Sequence, residues 1–251
     1  MLFVQKWGNG PEPLLVFHGI GQEHSVFADW QNLPDFTVYA FDLPFHGRSV
    51  VPPGKAIEKA EWIAWVTNFL EQQGIERFSL AGFSMGGRLV LVLLEALADR
   101  VDQVFLIAPD GIRENPFYRL AVGTAPGRAV FRFLVFRPQL LLALGGWAEK
   151  LGWVHASVTR FVRWMLDSRE KQFRVYHAWT AFRKLTFSGK LPDRPVLFVM
   201  GQYDRLMPPA SVEPLLSAQA GRLVLRCGHN QLVEKTAEYL QNKKPGRLSG
   251  L

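Results

Sequence analysis

Three kinds of side chain that can act together on an electrophilic carbon, a serine, a histidine and a carboxylate, stand in this chain where the local sequence would expose them. Ser84 lies in Gly82-Phe83-Ser84-Met85-Gly86-Gly87, with glycine two places before and two places after it. Small flanking residues suit a sharp turn from strand into helix, in which the middle residue takes a strained conformation and presents its hydroxyl outward. A serine hydroxyl is a weak nucleophile at neutral pH, so it needs a base within hydrogen-bond reach and a third group to orient that base. His229, in Gly228-His229, and Asp204, in Gly201-Gln202-Tyr203-Asp204, each follow an apolar run and are the candidates. Asp110, in Pro109-Asp110-Gly111, is the alternative acid, although a turn carboxylate is the preferred reading of it. Serine also stands at the start of a helix, where unpaired amides favour negative charge.

These residues need a scaffold, and the chain has the pattern of one. Buried strands are expected at Pro13–Phe17, Phe36–Phe41, the run before Ser84, Val101–Ala108, Pro195–Met200 and Arg222–Cys227. Between them, residues 60–73 place Trp62, Val66, Phe69 and Leu70 on one helical face and Gly74 closes the helix, while Arg88–Leu97 is apolar nearly all round, as in a helix packed on a sheet. A last helix is expected near residues 231–240. Alternation of β and α with short connections predicts an α/β fold with a mostly parallel sheet covered by helices. In such sheets reactive groups gather beyond the carboxyl ends of the strands, where His18, Ser84, Asp110, Asp204 and His229 all fall.

From 112 to 190 the alternation lapses into Arg- and aromatic-rich helical sequence, which reads as an inserted helical lobe between core segments 1–111 and 191–251. Residues 111–194 hold 15 Lys and Arg against 5 Asp and Glu, although the whole chain is only +7. Arg128, Arg132 and Arg137 interleave with Phe131, Phe133 and Phe136. Three readings follow: solvated charge around an aromatic core, which is preferred, attraction of an anionic or amphipathic small-molecule substrate, and docking on an anionic membrane surface. No nucleic-acid-binding motif accompanies the charge, so a nucleic-acid partner is not expected. Cys227 has no second cysteine to pair with and is expected in the core of a strand. No metal-ligand spacing and no phosphate loop is present, so neither metal nor cofactor is expected. The N-terminal residues reach turn signals before a signal-peptide hydrophobic region could form, and Ala129–Ala148 is interrupted by Arg132, Arg137 and Pro138, so a soluble, cytoplasmic protein is expected. The polar tail from Lys243 is expected to be disordered.

Taken together, His18-Gly19-Ile20-Gly21, Asp42-Leu43-Pro44-Phe45-His46-Gly47-Arg48-Ser49, Gly82-Phe83-Ser84-Met85-Gly86-Gly87, Gly201-Gln202-Tyr203-Asp204 and Gly228-His229 resemble the α/β-hydrolase fold family with a helical cap, across nearly the whole chain. The order serine, acid, histidine is the one that family uses. The resemblance implies Ser84 as nucleophile, His229 as general base and then acid, Asp204 as orienting carboxylate, and backbone amides of Met85 and Ile20 as an oxyanion hole. It implies that His18 and His46 stabilise their loops. One position departs from the pattern: Phe45 stands where glycine is common, which bears on the shape of that loop. The implied reaction is cleavage of a small to medium carboxylic ester through an acyl-enzyme. The same triad serves C–C hydrolases and lyases, such as menaquinone-pathway lyases and ring-cleavage-product hydrolases, and thioesterases. A ligand receptor or lapsed enzyme with the same pocket is the rival from another class. Dehalogenase and epoxide-hydrolase chemistry is disfavoured, because those relatives place Asp where Ser84 stands.

Overall fold

The computed structural model describes residues 1–112 and 116–242; the tail beginning at Lys243 lies outside them. Seven strands, β1 (Val4–Trp7), β2 (Glu12–Phe17), β3 (Phe36–Phe41), β4 (Phe78–Phe83), β5 (Val101–Ile107), β6 (Val196–Gly201) and β7 (Ala220–Leu225), form one sheet in the order β1-β3-β2-β4-β5-β6-β7. Among the strand pairings of the described residues, only β1–β3 is antiparallel. The near-continuous apolar runs of β2, β4 and β6 belong to strands covered on both faces, and every residue of β4 and β6 is buried.

Helix α1 (Lys59–Gln72) buries Trp62, Val66 and Leu70, one residue per turn along a single face, and Gly74 at φ +64° turns the chain out of it. Helix α2 (Met85–Leu97) has ten of its thirteen residues buried, from Met85 through Leu94, and is thus the central helix its sequence predicts. It begins at Met85, three residues before the expected start, because the turn at Ser84 leads straight into it. β7 ends at Leu225, so Cys227 is not in a strand; it is nonetheless buried, in the turn that follows. Burial raises the pKa of its thiol, with the Asp204 charge acting in the same direction.

Because β3, β2, β4, β5, β6 and β7 run the same way, their carboxyl ends line one edge. The segments that follow these ends, at Asp42, His18, Ser84, Ala108, Gln202 and Arg226, therefore share that edge.

The chain forms two compact units. The first, Met1–Val51, Glu58–Arg113 and Leu185–Leu251, contains the sheet; the second comprises Pro52–Ile57 and Glu114–Lys184. Of the helical stretch read over 112–190, Leu185–Lys190 group with the sheet, where Leu185 is fully buried and the Ser188 amide donates to Glu95 Oε1. Pro52–Ile57 joins the helices, with the Ile57 amide donating to the Ala181 carbonyl at 2.9 Å. The second unit contains α3 (Pro116–Gly123), α4 (Ala125–Val135), α5 (Pro138–Lys150), α6 (Ala156–Met165) and α7 (Arg169–Ala181). Its buried residues are mainly aliphatic, among them Val122, Val135, Met165, Leu166 and Val175, and half-buried aromatics pack around them: Phe131 stacks on Trp179 with centroids 5.5 Å apart, and the Tyr118 hydroxyl donates to the Trp179 carbonyl. The final helix, α8 (Leu232–Asn242), belongs to the first unit. Among the described residues no single helix is long and apolar enough to cross a membrane.

Candidate active site

The turn at Ser84 is strained, and its surroundings enforce the strain. Ser84 has φ +51° and ψ −116°, a conformation that L-residues adopt only where the fold demands it. Its carbonyl accepts hydrogen bonds from the amides of Gly87 and Asp110, and its own amide donates to Ile107. The flanking glycines are required by close approach of backbone. A methyl group on Gly86 would stand 2.0 Å from the Phe17 carbonyl oxygen, and one on Gly82 would stand 2.7 Å from the Gly86 oxygen. The serine thus caps α2, whose first amides, beginning with Met85, have no acceptor within the helix.

His229 lies in the segment after β7 and Asp204 in the segment after β6, 25 residues apart in sequence. The fold brings them into contact: His229 Nδ1 is 2.6 Å from Asp204 Oδ2. Asp204 is buried, and its other oxygen accepts from the amides of Leu206 and Met207 at 2.8 and 3.0 Å. Three groups therefore hold this carboxylate in one orientation, and it in turn holds the imidazole. The imidazole packs on the ring of Phe83, the residue before Ser84 in the chain, with centroids 4.9 Å apart. Asp110 is differently engaged. Its Oδ2 is 3.0 Å from both Nε and Nη2 of Arg88, a side chain almost fully buried in α2. The lone arginine within the otherwise apolar run Met85–Leu94 is the signal in the sequence for such a partner.

The loop after β2 is locked from both sides. The Leu43 amide donates to His18 Nε2, so Nδ1 carries the proton and donates to the Gly19 carbonyl at 2.7 Å. His46 repeats the arrangement: its Nε2 accepts from Gly21, and its Nδ1 donates to the Pro44 carbonyl. Both rings are thereby fixed as neutral tautomers bridging two loops. The amides on either side of Ile20 are committed, Gly19 to Gln22 Oε1 and Gly21 to His46, so the orientation of the Ile20 peptide is set by its neighbours. Asp42, inside the Asp42–Ser49 motif, and Gln22, one residue beyond the His18–Gly21 motif, are positioning groups to which the sequence pattern attaches no role. Asp42 is fully buried and accepts from the amides of His24 and Arg48 and from His24 Nδ1. Gly47 is obligatory beside it, since a methyl there would fall 2.0 Å from Asp42 Oδ2. Phe45, at the position where glycine was the pattern, has φ +70°; the backbone keeps the left-handed conformation and the phenylalanine bears its strain.

All of these groups belong to the sheet unit. Among the described residues no cluster of side chains suits a metal ion.

Comparison with known proteins identifies the fold. The chain is 28% identical over 250 residues to the dihydrolipoyllysine-residue acetyltransferase component of the acetoin cleaving system of Cupriavidus necator, covering 92% of this chain. It spans 62% of the length of that relative. A thermophilic esterase from Thermogutta terrifontis superposes with a TM-score of 0.68 at 22% identity, over 96% of this chain and 90% of that one. A meta-cleavage product hydrolase of Pseudomonas fluorescens gives a TM-score of 0.60 at 22% identity, over 96% and 91% of the two chains. At these identities it is the fold that is shared. The model of the family described as alpha/beta hydrolase fold matches residues 12–236, a span that takes in every parallel strand, the Ser84 turn, Asp204 and His229, and the chain belongs to that family.

Proposed function

We propose that this protein is a serine hydrolase acting on small to medium carboxylic esters. The observation that carries the reading is the Asp204–His229 pair, 2.6 Å apart and packed against the residue preceding a strained, helix-capping serine. On this reading His229 removes the proton of Ser84 as the hydroxyl attacks the ester carbonyl, and Asp204 holds the imidazole with Nδ1–H toward itself and stabilises the imidazolium that forms. The tetrahedral oxyanion is met by the amides of Met85 and Ile20, the first at the positive end of α2 and the second in the loop locked by His18 and His46. Collapse expels the alcohol, which takes the proton from His229, and leaves an acyl-Ser84. Water, activated by the same histidine, then releases the acid. The helical segment read over 112–190 takes the part of a substrate-selecting lid in this proposal. The esterase and the meta-cleavage product hydrolase among the structural relatives are consistent with hydrolytic chemistry on this fold.

The test is hydrolysis of nitrophenyl esters of increasing acyl length, with a thioester and a vinylogous diketone as additional substrates so that the bond class is read in the same assay. Ester turnover that falls by about 10³-fold or more in Ser84→Ala, together with fluorophosphonate labelling of wild type only, is the expected result. Unchanged turnover in Ser84→Ala would overturn the nucleophile. Absence of both turnover and labelling in wild type would favour a ligand receptor.

A further inference from the structure

Helix α5 is built of Pro138-Gln139-Leu140-Leu141-Leu142-Ala143-Leu144-Gly145-Gly146-Trp147-Ala148-Glu149-Lys150, yet none of its residues is buried. Leu140, Leu144, Trp147 and Leu151 recur at spacings of four, three and four and therefore lie along one face; they are 47, 64, 70 and 47% exposed. Trp153, just beyond the helix, is 78% exposed, and Val130 and Phe133 of α4 are exposed as well. An apolar stripe of this length facing water marks an interaction surface.

What it meets is indicated by charge. Residues 116–166 carry seven arginines and lysines and one carboxylate, Glu149. Lys150 at the end of α5, Arg137 at its start, and Arg160 and Arg163 of the following helix α6 are all exposed. Beside it, Arg128, Arg132, Arg137 and Arg169 line a cleft of about 620 Å³ with Phe136 and Tyr176. Among the described residues no carboxylate bridges any of these four. Arg137 lies over the Phe133 ring, 4.2 Å from its centroid, and Arg169 Nη1 donates to the Phe136 carbonyl, which fixes both cations at the rim without neutralising them. A second copy of this chain would set cations against cations across a shared axis, so the surface is wrong for self-association through this face. It suits a partner that is apolar inside and anionic outside, with indoles at the boundary.

We propose that the α4–α5 face docks this protein on the surface of an anionic lipid bilayer, with the α5 stripe in the acyl boundary and the arginine cleft receiving headgroup phosphates. The geometry selects lying on the membrane over spanning it: α4 and α5 are bent by 91° at their junction, and α5, about 20 Å long, is shorter than a hydrocarbon core of about 30 Å. The proposal is independent of the ester reaction.

The experiment is flotation of the full chain with phosphatidylcholine vesicles and with vesicles of seven parts phosphatidylcholine to three parts phosphatidylglycerol, at 0.1 and 0.5 M salt. Anionic vesicles are expected to bind at least about 10-fold more tightly than neutral ones at low salt, and high salt should remove most of the difference. Leu144→Ser/Trp147→Ser and Arg132→Gln/Arg137→Gln should each weaken binding about 10-fold or more while leaving the circular dichroism spectrum unchanged, since these side chains are exposed. No binding of wild type to anionic vesicles, or binding untouched by both double substitutions, would overturn the proposal. So would a dimer that Leu144→Ser/Trp147→Ser dissociates in a protein that binds no lipid.

Discussion

Asp204 and Asp110 are both carboxylates just beyond the carboxyl ends of adjacent strands, and their partners separate them. Asp204 is enclosed, with two backbone amides on one oxygen and His229 on the other, whereas Asp110 is 42% exposed and turned to Arg88. Replacing Asp204 by Asn would offer Nδ1 an amide in place of a carboxylate and remove the charge that supports the imidazolium. If the triad is Ser84, His229 and Asp204, Asp204→Asn should lower kcat for a nitrophenyl ester by about 10³- to 10⁴-fold. Asp110→Asn should lower it by less than about 10-fold, through the local packing around Arg88. Kinetics of both variants at matched folded fraction read the difference, and the reverse ranking would reassign the acid.

At the scale of elements, glycines decide what can approach what. The strand-to-helix turn places Gly86 against the Phe17 carbonyl of β2, so a methyl at 2.0 Å meets backbone that cannot move aside. Gly86→Ala should destabilise by about 3 kcal/mol or more, seen as a lower urea midpoint, with loss of ester turnover through displacement of Ser84 and the loop after β2. Gly146, in the interior of α5, is the contrasting case. No atom lies within 4 Å of a methyl built there, so Gly146→Ala should raise stability by about 0.5 to 1 kcal/mol, simply because alanine is the better helix former. A destabilised Gly146→Ala would mean that α5 is more closely covered than its exposure indicates.

Across the whole molecule, burial is unevenly shared. Strands β4 and β6 are closed off from water along their length and α2 over its first ten residues, while α5 buries no residue and its unit includes stacked aromatics, Phe131 and Trp179, that are only half-buried. Local opening follows burial. In hydrogen exchange at neutral pH, amides in the interior of α5 should exchange at least about 100-fold faster than those of α2 and β4. Anionic vesicles, if bound as proposed, should slow α5 selectively.

Much of this protein was legible in its sequence, because the informative signals are local. Buried strands read as unbroken apolar runs, α1 as one apolar residue per turn, and the Ser84 turn as glycines at fixed offsets; these depend on residues within a few positions of one another and led to the α/β-hydrolase fold that the family match and the sheet order show. The edges were less legible. Whether Cys227 closes a strand or follows it depends on pairing with β6, and the short contribution of Pro52–Ile57 to the helical unit depends on a hydrogen bond to Ala181, more than a hundred residues away. Only the tertiary structure decided which carboxylate meets His229, which ring nitrogens of His18 and His46 carry protons, and which side of α5 faces water. Each is a choice among partners distant in sequence, made by where the strand ends fall along the edge of the sheet and by how the helices pack, and nothing in the residues adjacent to each group determines it.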